Sequence, residues 1–143
     1  MLYQVQEMLC AEKIFESAGI AEEIETYNPL IPDGSNWKAT MMIQFDEVAD
    51  RKVALENMIG IERATWVQVD GFEKVNPIAN EDLERETEEK TSSVHFLRFE
   101  LSDQMVKAAK SGVAIKAGVD HAAYQQEVTL PENIRASLAS DLV

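Results

Sequence analysis

The sequence predicts an α+β fold, with a mainly antiparallel or mixed sheet of about six strands and helices packed mostly on one face. Residues 38–45 alternate between apolar and polar side chains, which is typical of a half-buried strand. Asp70-Gly71 separates two β-rich runs, 64–69 and 72–78, and such a pair between strands is a strong hairpin signal. Connections are short and long βαβ units do not repeat, so antiparallel pairing is expected to dominate.

The N-terminal part of the chain is predicted to be helical. Apolar residues recur near helical spacing over residues 2–17, and Gly19 is the expected stop. A second helix is expected over 21–27, and a proline-containing loop follows over 28–36. After the strand at 38–45, Asp46 is the expected N-cap of a helix that ends at Gly60.

The C-terminal half continues this alternation. We expect strands at 94–101, 113–119 and 124–130, a helix over 103–111 that Ser102 caps, and a last helix over 131–142 that Pro131 opens. The polar run 80–90 fits either a solvated helix or an ordered loop. One domain over 1–143 is therefore expected, with N-terminal helices at 2–27, a sheet-containing body at 38–130 and a C-terminal helix.

Charge excludes several classes of function. Asp and Glu number 26 against 13 Lys and Arg, which gives a net charge of −13. Binding to nucleic acid or to an anionic membrane relies on clustered basic residues, so neither is expected. A basic protein partner or a divalent cation is compatible with this charge.

The one cysteine, Cys10, allows no internal disulfide. The chain starts without signal-peptide features and has no membrane-spanning apolar run, so a cytoplasmic protein is expected.

Four segments resemble the bacterial domain of unknown function DUF3501, and the resemblance covers nearly the whole chain. They are YQVQEML (3–9), YNPLIPDG (27–34), EEKTSSVHFLRFEL (88–101) and GVDH (118–121). The resemblance implies no activity. It implies relatives with a longer N-terminus, encoded near rubrerythrin-like and iron–sulfur proteins, and hence a redox or peroxide-stress setting. The first predicted helix has no capping residue in front of it, which fits a chain without that leading segment.

A divalent metal site is one hypothesis, built on the two histidines. His95, His121 and Asp120 would supply two imidazoles and a carboxylate, as in a facial triad. The alternative is structural, because His95 shares the apolar face of its strand with Leu97 and Phe99, and His121 can serve as a turn residue. Further carboxylates stand nearby in sequence, at Asp82, Glu84, Glu86, Glu88 and Glu89.

A binding surface is a second hypothesis. Asn28, Pro29 and Asp33 in the proline-containing loop, together with Arg98, are the candidate binding residues. The loop could equally be a rigid connection from helices to sheet. The acidic run 80–90 could be a partner-binding edge, or a solvated surface of local ion pairs.

Three functions stay open at this point. The first is a non-catalytic accessory or protein-binding domain, in the redox setting that the resemblance implies. The second is a small metal-binding enzyme or sensor that uses His95 and His121 with a carboxylate. The third is a homodimeric structural domain that associates through its first helix.

Overall fold

The computed structural model describes residues 2–81, 83, 85–87 and 89–143, with the side chain of Leu2 left out. The chain consists of two compact units, Met1–Asp33 and Gly34–Val143. The first is helical, and the second contains all six described strands and four helices. The predicted α+β class is confirmed.

The helical unit contains α1 (Leu2–Glu12), α2 (Ser17–Tyr27) and a 3₁₀ turn at Asn28–Leu30. The predicted helix over 2–17 is too long, because α1 ends in a Schellman motif at Lys13. This residue adopts a positive φ of 56°. The N–H of Ile14 donates to the carbonyl of Leu9, and the N–H of Lys13 donates to the carbonyl of Cys10. These two bonds satisfy carbonyls that the helix end leaves unpaired.

Gly19 does not stop a helix, contrary to the prediction, and instead lies inside α2. A Cβ at this position would meet Cγ2 of Ile14 at 2.6 Å. The glycine therefore allows the chain segment before α2 to pack closely against the helix. The predicted second helix, 21–27, ends correctly at Tyr27 but begins four residues earlier, at Ser17.

The second unit contains two three-stranded antiparallel sheets. Their strand orders are β1-β4-β3 and β2-β5-β6. The strands are β1 (Asn36–Met42), β2 (Thr65–Val69), β3 (Ile78–Ala79), β4 (Val94–Glu100), β5 (Ile115–His121) and β6 (Tyr124–Thr129). The predicted strand number and antiparallel pairing are thus confirmed, with the strands divided between two sheets.

The predicted Asp70-Gly71 hairpin forms only its turn and one bridge. Gly71 has a φ of 87°, and the N–H of Phe72 donates to the carbonyl of Val69. Beyond the turn, Val75 pairs with Val67 as an isolated bridge. The predicted strand 72–78 is therefore wrong. The chain instead crosses to the other sheet, where β3 pairs with β4.

The helices of this unit are α3 (Val48–Asn57), α4 (Ile61–Ala64), α5 (Asp103–Lys110) and α6 (Glu132–Ser140). Ser102 caps α5 as predicted, since its side chain accepts from the N–H of Met105. Asp46 is not an N-cap, because α3 begins one residue later, with Glu47 in that place. Pro131 precedes the first turn of α6 as its N-cap residue. No described helix is long and apolar enough to cross a membrane.

The core of the second unit lies between β2, β5 and the two C-terminal helices. The indole N–H of Trp37 donates to the carbonyl of Leu138 in α6 at 2.9 Å, which ties β1 to that helix. The core's buried members are Trp37, Val69, Leu101, Val106, Ala109, Ile115 and Leu142.

Candidate functional site

His95 lies on the inward face of β4, where the sequence pattern predicts it. Burial alternates along this strand, and His95, Leu97 and Phe99 are its buried residues. The imidazole is 0% exposed. A polar ring at such a position must find partners inside the protein, because an unpaired buried polar group is costly.

The partners of His95 fix its tautomer. The carbonyl of Ser92 lies 3.0 Å from Nε2 and can only accept, so Nε2 carries the proton. The hydroxyl of Thr91 lies 3.1 Å from the same nitrogen. On the other side, Oδ1 of Asn80 accepts from the N–H of Phe96, which turns the amide nitrogen of Asn80 toward Nδ1 at 3.0 Å. Nδ1 therefore accepts, and both ring nitrogens are engaged.

Glu62 is a buried carboxylate next to this network. It lies in the short helix α4 and is 1% exposed. Its Oε1 pairs with Nη1 of Arg63 at 2.8 Å. Its Oε2 is buried without a hydrogen-bond partner among the described residues. The nearest polar group recorded for Oε2 is Nδ1 of His95 at 4.0 Å, which already accepts from Asn80 and has no proton to give.

Arg63 joins Glu62 to a second carboxylate. Its Nη1 donates to Oε1 of Glu86 at 2.6 Å. This hydrogen bond lowers the pKa of Glu86 and raises the pKa of Arg63. Oε2 of Glu86 is also buried without a hydrogen-bond partner in the described part of the chain, although the N–H of Gly60 contributes to the lowered pKa of Glu86. Oε2 of Glu62 is therefore the clearest unpaired oxygen of the group.

These charged groups line a cleft with a volume of about 370 Å³. Arg85 also lines this cleft, and its guanidinium carbon lies 4.6 Å from the centre of the Phe96 ring. We call this cavity the Glu62 cleft. Its lining residues are Glu62, Arg63, Pro77, Ala79, Asn80, Arg85 and Glu86.

The predicted metal ligands each have partners of their own within the chain. Nε2 of His121 lies 3.1 Å from the carbonyl of Ile59, and its Nδ1 accepts from the N–H of Ala123. Asp120 forms an ion pair with Lys74 at 2.7 Å, which lowers the pKa of Asp120. Across the described residues, no group of three or more His, Cys, Asp or Glu side chains could hold a metal ion. A metal site at His95, His121 and Asp120 stays a prediction from residue types.

The predicted binding residues fall in different units. Asn28, Pro29 and Asp33 belong to the helical unit, where Asn28 is the C-cap of α2. Arg98 lies in β4 and holds Glu81 in a bidentate pair, at 2.6 and 2.7 Å. This pair lowers the pKa of Glu81. A binding role for the four residues remains a prediction.

Glu62, the buried carboxylate that lines the cleft, was not predicted as a site residue from the sequence. In the sequence it stands beside Arg63 and resembles an ordinary surface glutamate. Its neighbours come from other segments, since Nδ1 of His95 lies 4.0 Å from Oε2 of Glu62 and Glu86 shares Arg63 with it. Of the acidic residues noted in that segment, Glu86 joins the site, Glu89 is exposed, and Asp82, Glu84 and Glu88 lie outside the described residues.

Comparisons with known proteins give the chain a family. The family model described as "Protein of unknown function (DUF3501)" matches residues 1–142. A crystal structure of a protein of unknown function from Burkholderia pseudomallei K96243 is 48% identical in sequence, with a TM-score of 0.87. The match covers 99% of this chain and 74% of that one. No curated protein matches the chain.

Proposed function

Because the chain belongs to the DUF3501 family, whose function is unknown, we propose from the geometry that it is a non-catalytic binding domain that holds its partner at the Glu62 cleft. The observation that carries this proposal is Oε2 of Glu62, a buried carboxylate oxygen without a hydrogen-bond partner among the described residues, in a side chain that lines the cleft. A buried charged acceptor without a donor destabilises the folded protein. A donor from outside the chain would remove that penalty, so the cleft suits a ligand.

The surroundings of the cleft favour binding over catalysis. General acid–base catalysis needs a titratable group that can reach the ligand with a free lone pair or proton. His95, the nearest imidazole, has both nitrogens held by Asn80 and by the backbone of Ser92. Arg63 similarly holds one oxygen of each carboxylate. These contacts make a rigid, pre-organised recognition surface.

The partner that we propose is a protein. A net charge of −13 disfavours nucleic acid and favours a basic surface. We propose a cytoplasmic setting, which the single cysteine supports because it leaves the chain without an internal disulfide. A redox or peroxide-stress role rests on the family resemblance alone.

Photo-crosslinking from the cleft tests this function. Pro77, which lines the cleft and has no backbone N–H, is replaced by benzoylphenylalanine, and the protein is irradiated in cells of its native host. We expect a discrete adduct that mass spectrometry can identify. A redox or iron–sulfur protein in the adduct would support the proposed setting.

The matched control carries the same crosslinker at Tyr124 of β6, a strand whose residues are all exposed. Adducts that are the same from both positions would reflect random collisions and would refute a partner site at the cleft. Loss of the Pro77 adduct in a Glu62→Gln background would tie the contact to the carboxylate.

A homodimer is a second candidate, favoured by apolar side chains on the helical unit. Tyr3 is 72% exposed and Phe15 is 80% exposed. Large exposed apolar residues that cluster are typical of interfaces. Light scattering after size-exclusion chromatography tests this candidate, and a monomer at all concentrations would exclude it.

A further inference from the structure

β6 is an exposed edge strand that lacks the usual protection of such edges. Among the described strands it ends the order β2-β5-β6, so its outer side pairs with no strand there. All six of its residues are exposed. Natural edge strands are commonly protected by lysine, proline or a bulge. β6 contains neither residue, and its register with β5 is unbroken over Tyr124–Thr129, so this edge is suited to receive another strand.

The hydrogen bonds to β5 identify the backbone groups that face outward. The N–H of Leu130 donates to the carbonyl of Ile115, just beyond the last paired residues of β6. Bonding directions alternate along an antiparallel strand, so every second residue before Leu130 also bonds toward β5. The residues between them, Gln125, Glu127 and Thr129, therefore point their N–H and C=O groups to the open edge.

One antiparallel register makes this edge complementary to itself. When Gln126 lies on a two-fold axis, opposite its own copy, Gln125 of each chain faces Glu127 of the other as a hydrogen-bonded pair. Tyr124 of each chain then faces Val128 of the other at a non-hydrogen-bonded position, where side chains are closest. Tyr124 is 46% exposed and Val128 is 54% exposed, so the pairing covers apolar surface on both chains.

Charge favours this register over its neighbour. Glu127 is the one charged residue in the sequence of β6, and it pairs with Lys116 of β5 at 3.2 Å. A shift by two positions would place Glu127 opposite its own copy, and like charges that face each other directly are destabilising. In the register centred on Gln126, the side-chain amide of Gln125 can instead donate to the carboxylate of Glu127.

We propose that two copies of this chain pair along β6, antiparallel and about a two-fold axis at Gln126, so that their three-stranded sheets join into one continuous sheet. Pairing of two identical edges closes the assembly, because it leaves neither β6 edge open for a third chain. This interface uses neither the Glu62 cleft nor the helical unit. It therefore stands or falls separately from the binding function.

Cysteine crosslinking tests the register. Gln126→Cys is made in a Cys10→Ser background, since Cys10 is an exposed free thiol. Non-hydrogen-bonded pairs hold their Cα atoms about 4.5 Å apart, which is within disulfide reach. We expect mild oxidation to convert most of this variant into a covalent dimer. The matched control is Thr129→Cys, which should stay monomeric because its two copies would lie about 20 Å apart along the paired strands.

Sedimentation equilibrium of the full chain measures the association itself. A single strand pair buries little surface, so we expect a dissociation constant of about 100 μM. Both copies carry a charge of −13, so added salt should tighten the dimer, by about threefold or more, because it screens their repulsion. Binding of a basic partner would weaken with salt.

A backbone variant tests the role of the edge. Gln125→Pro removes an outward N–H and leaves the bonds to β5 intact, so it should raise the dissociation constant at least about tenfold. Gln125→Ala keeps that N–H and should change the constant by less than about threefold. Should Gln125→Pro fail to fold, the comparison of cysteines at positions 126 and 129 decides. Benzoylphenylalanine at Tyr124 should also give an adduct between two copies of this chain.

Three outcomes would overturn the inference. A monomer at every concentration, without a crosslink at position 126, would leave the edge to a strand of another protein. Equal crosslinking at positions 126 and 129 would indicate random collisions. A dimer that persists with Gln125→Pro and is lost with Phe15→Ser would place the contact on the helical unit, where Phe15 is 80% exposed.

Discussion

Oε2 of Glu62 lies 4.0 Å from Nδ1 of His95, and no hydrogen bond joins them, because Nδ1 already accepts from Asn80. Two side chains that are almost completely buried thus meet without satisfying each other. The imidazole is fully paired elsewhere, and the carboxylate is paired at one oxygen only. His95 is thus held within the fold by its own partners, whereas the proposed binding role concerns Glu62.

His95→Leu should destabilise the fold strongly. The substitution leaves the amide of Asn80 and the carbonyl of Ser92 without partners in a buried place. We expect a loss of about 2–4 kcal/mol in the free energy of unfolding, measured by urea denaturation. The control is His121→Leu, at a partly exposed ring with two hydrogen bonds, where about 1 kcal/mol is expected. Equal losses would contradict the structural role of His95.

The Arg63–Glu86 pair should make stability depend on acid pH. Its hydrogen bond lowers the pKa of Glu86 below the ordinary value of 4.5. A carboxyl with a lowered folded pKa stabilises the protein above its unfolded pKa, and this contribution is lost as pH falls through the folded pKa. Because Arg63 is 61% exposed, we expect only about 0.5–1 kcal/mol.

A double-mutant cycle measures this contribution. Arg63→Met, Glu86→Gln and the double variant are unfolded in urea between pH 7 and pH 3. The coupling energy between the two side chains should be present at pH 7 and should vanish below the folded pKa of Glu86. A coupling energy that stays constant down to pH 3 would show that this carboxyl is not the group responsible.

Gly118→Ala should destabilise the β2-β5-β6 sheet more than Gly71→Ala. A Cβ at Gly118 would lie 2.4 Å from Cζ2 of Trp66 and 2.7 Å from the carbonyl oxygen of Gln126. Neither the buried ring nor the strand backbone can move aside easily, so we expect about 2–3 kcal/mol from overpacking.

Gly71 provides the control, because a Cβ there meets nothing within 4 Å. Its φ of 87° still strains an alanine, and we expect about 1 kcal/mol. Thermal unfolding of both variants compares the two costs. A larger loss from Gly71→Ala would show that backbone strain, and not the Trp66 contact, dominates in this sheet.

Local signals in the sequence predicted local structure well. The alternation around Leu97 and Phe99 placed His95 on the buried face, and Ser102 was correctly identified as a cap, because each depends on near neighbours. The prediction for Gly19 was wrong, because the sequence does not distinguish a glycine that allows close packing from one that ends a helix. The predicted strand after Gly71 was wrong, because residues 78–79 pair with β4 and do not extend the hairpin.

The site was hidden from the sequence for a different reason. Glu62, Asn80 and Glu86 are separated along the chain, and their meeting depends on the crossing of β3 between the two sheets. No periodicity marks a buried carboxylate whose partner is missing. Only burial and hydrogen-bond geometry distinguish Glu62 from the many exposed glutamates.

Glu62→Met should leave the ligand-free protein as stable as before, or stabilise it by about 1 kcal/mol. Methionine fills a similar volume and removes a buried charged oxygen that has no donor among the described residues. Arg63 loses one partner but keeps Glu86 and remains exposed, so no buried charge is left unpaired. The same substitution should abolish binding at the cleft, which is the trade between stability and function expected of a binding residue.

Asn36 provides the comparison for Glu62→Met, because it is a buried polar residue whose side chain forms a hydrogen bond. Asn36 is 1% exposed, and its Nδ2 donates to Oε1 of Glu100 at 3.0 Å. Asn36→Leu should therefore cost about 1–3 kcal/mol in urea denaturation, because it removes a buried hydrogen bond to Glu100, whose Oε1 keeps Arg98 as its donor. If Glu62→Met costs as much as Asn36→Leu, the carboxylate has a structural partner within the chain and the cleft needs no ligand. If Glu62→Met is neutral or stabilising while Asn36→Leu is not, stability alone does not explain a glutamate at this position.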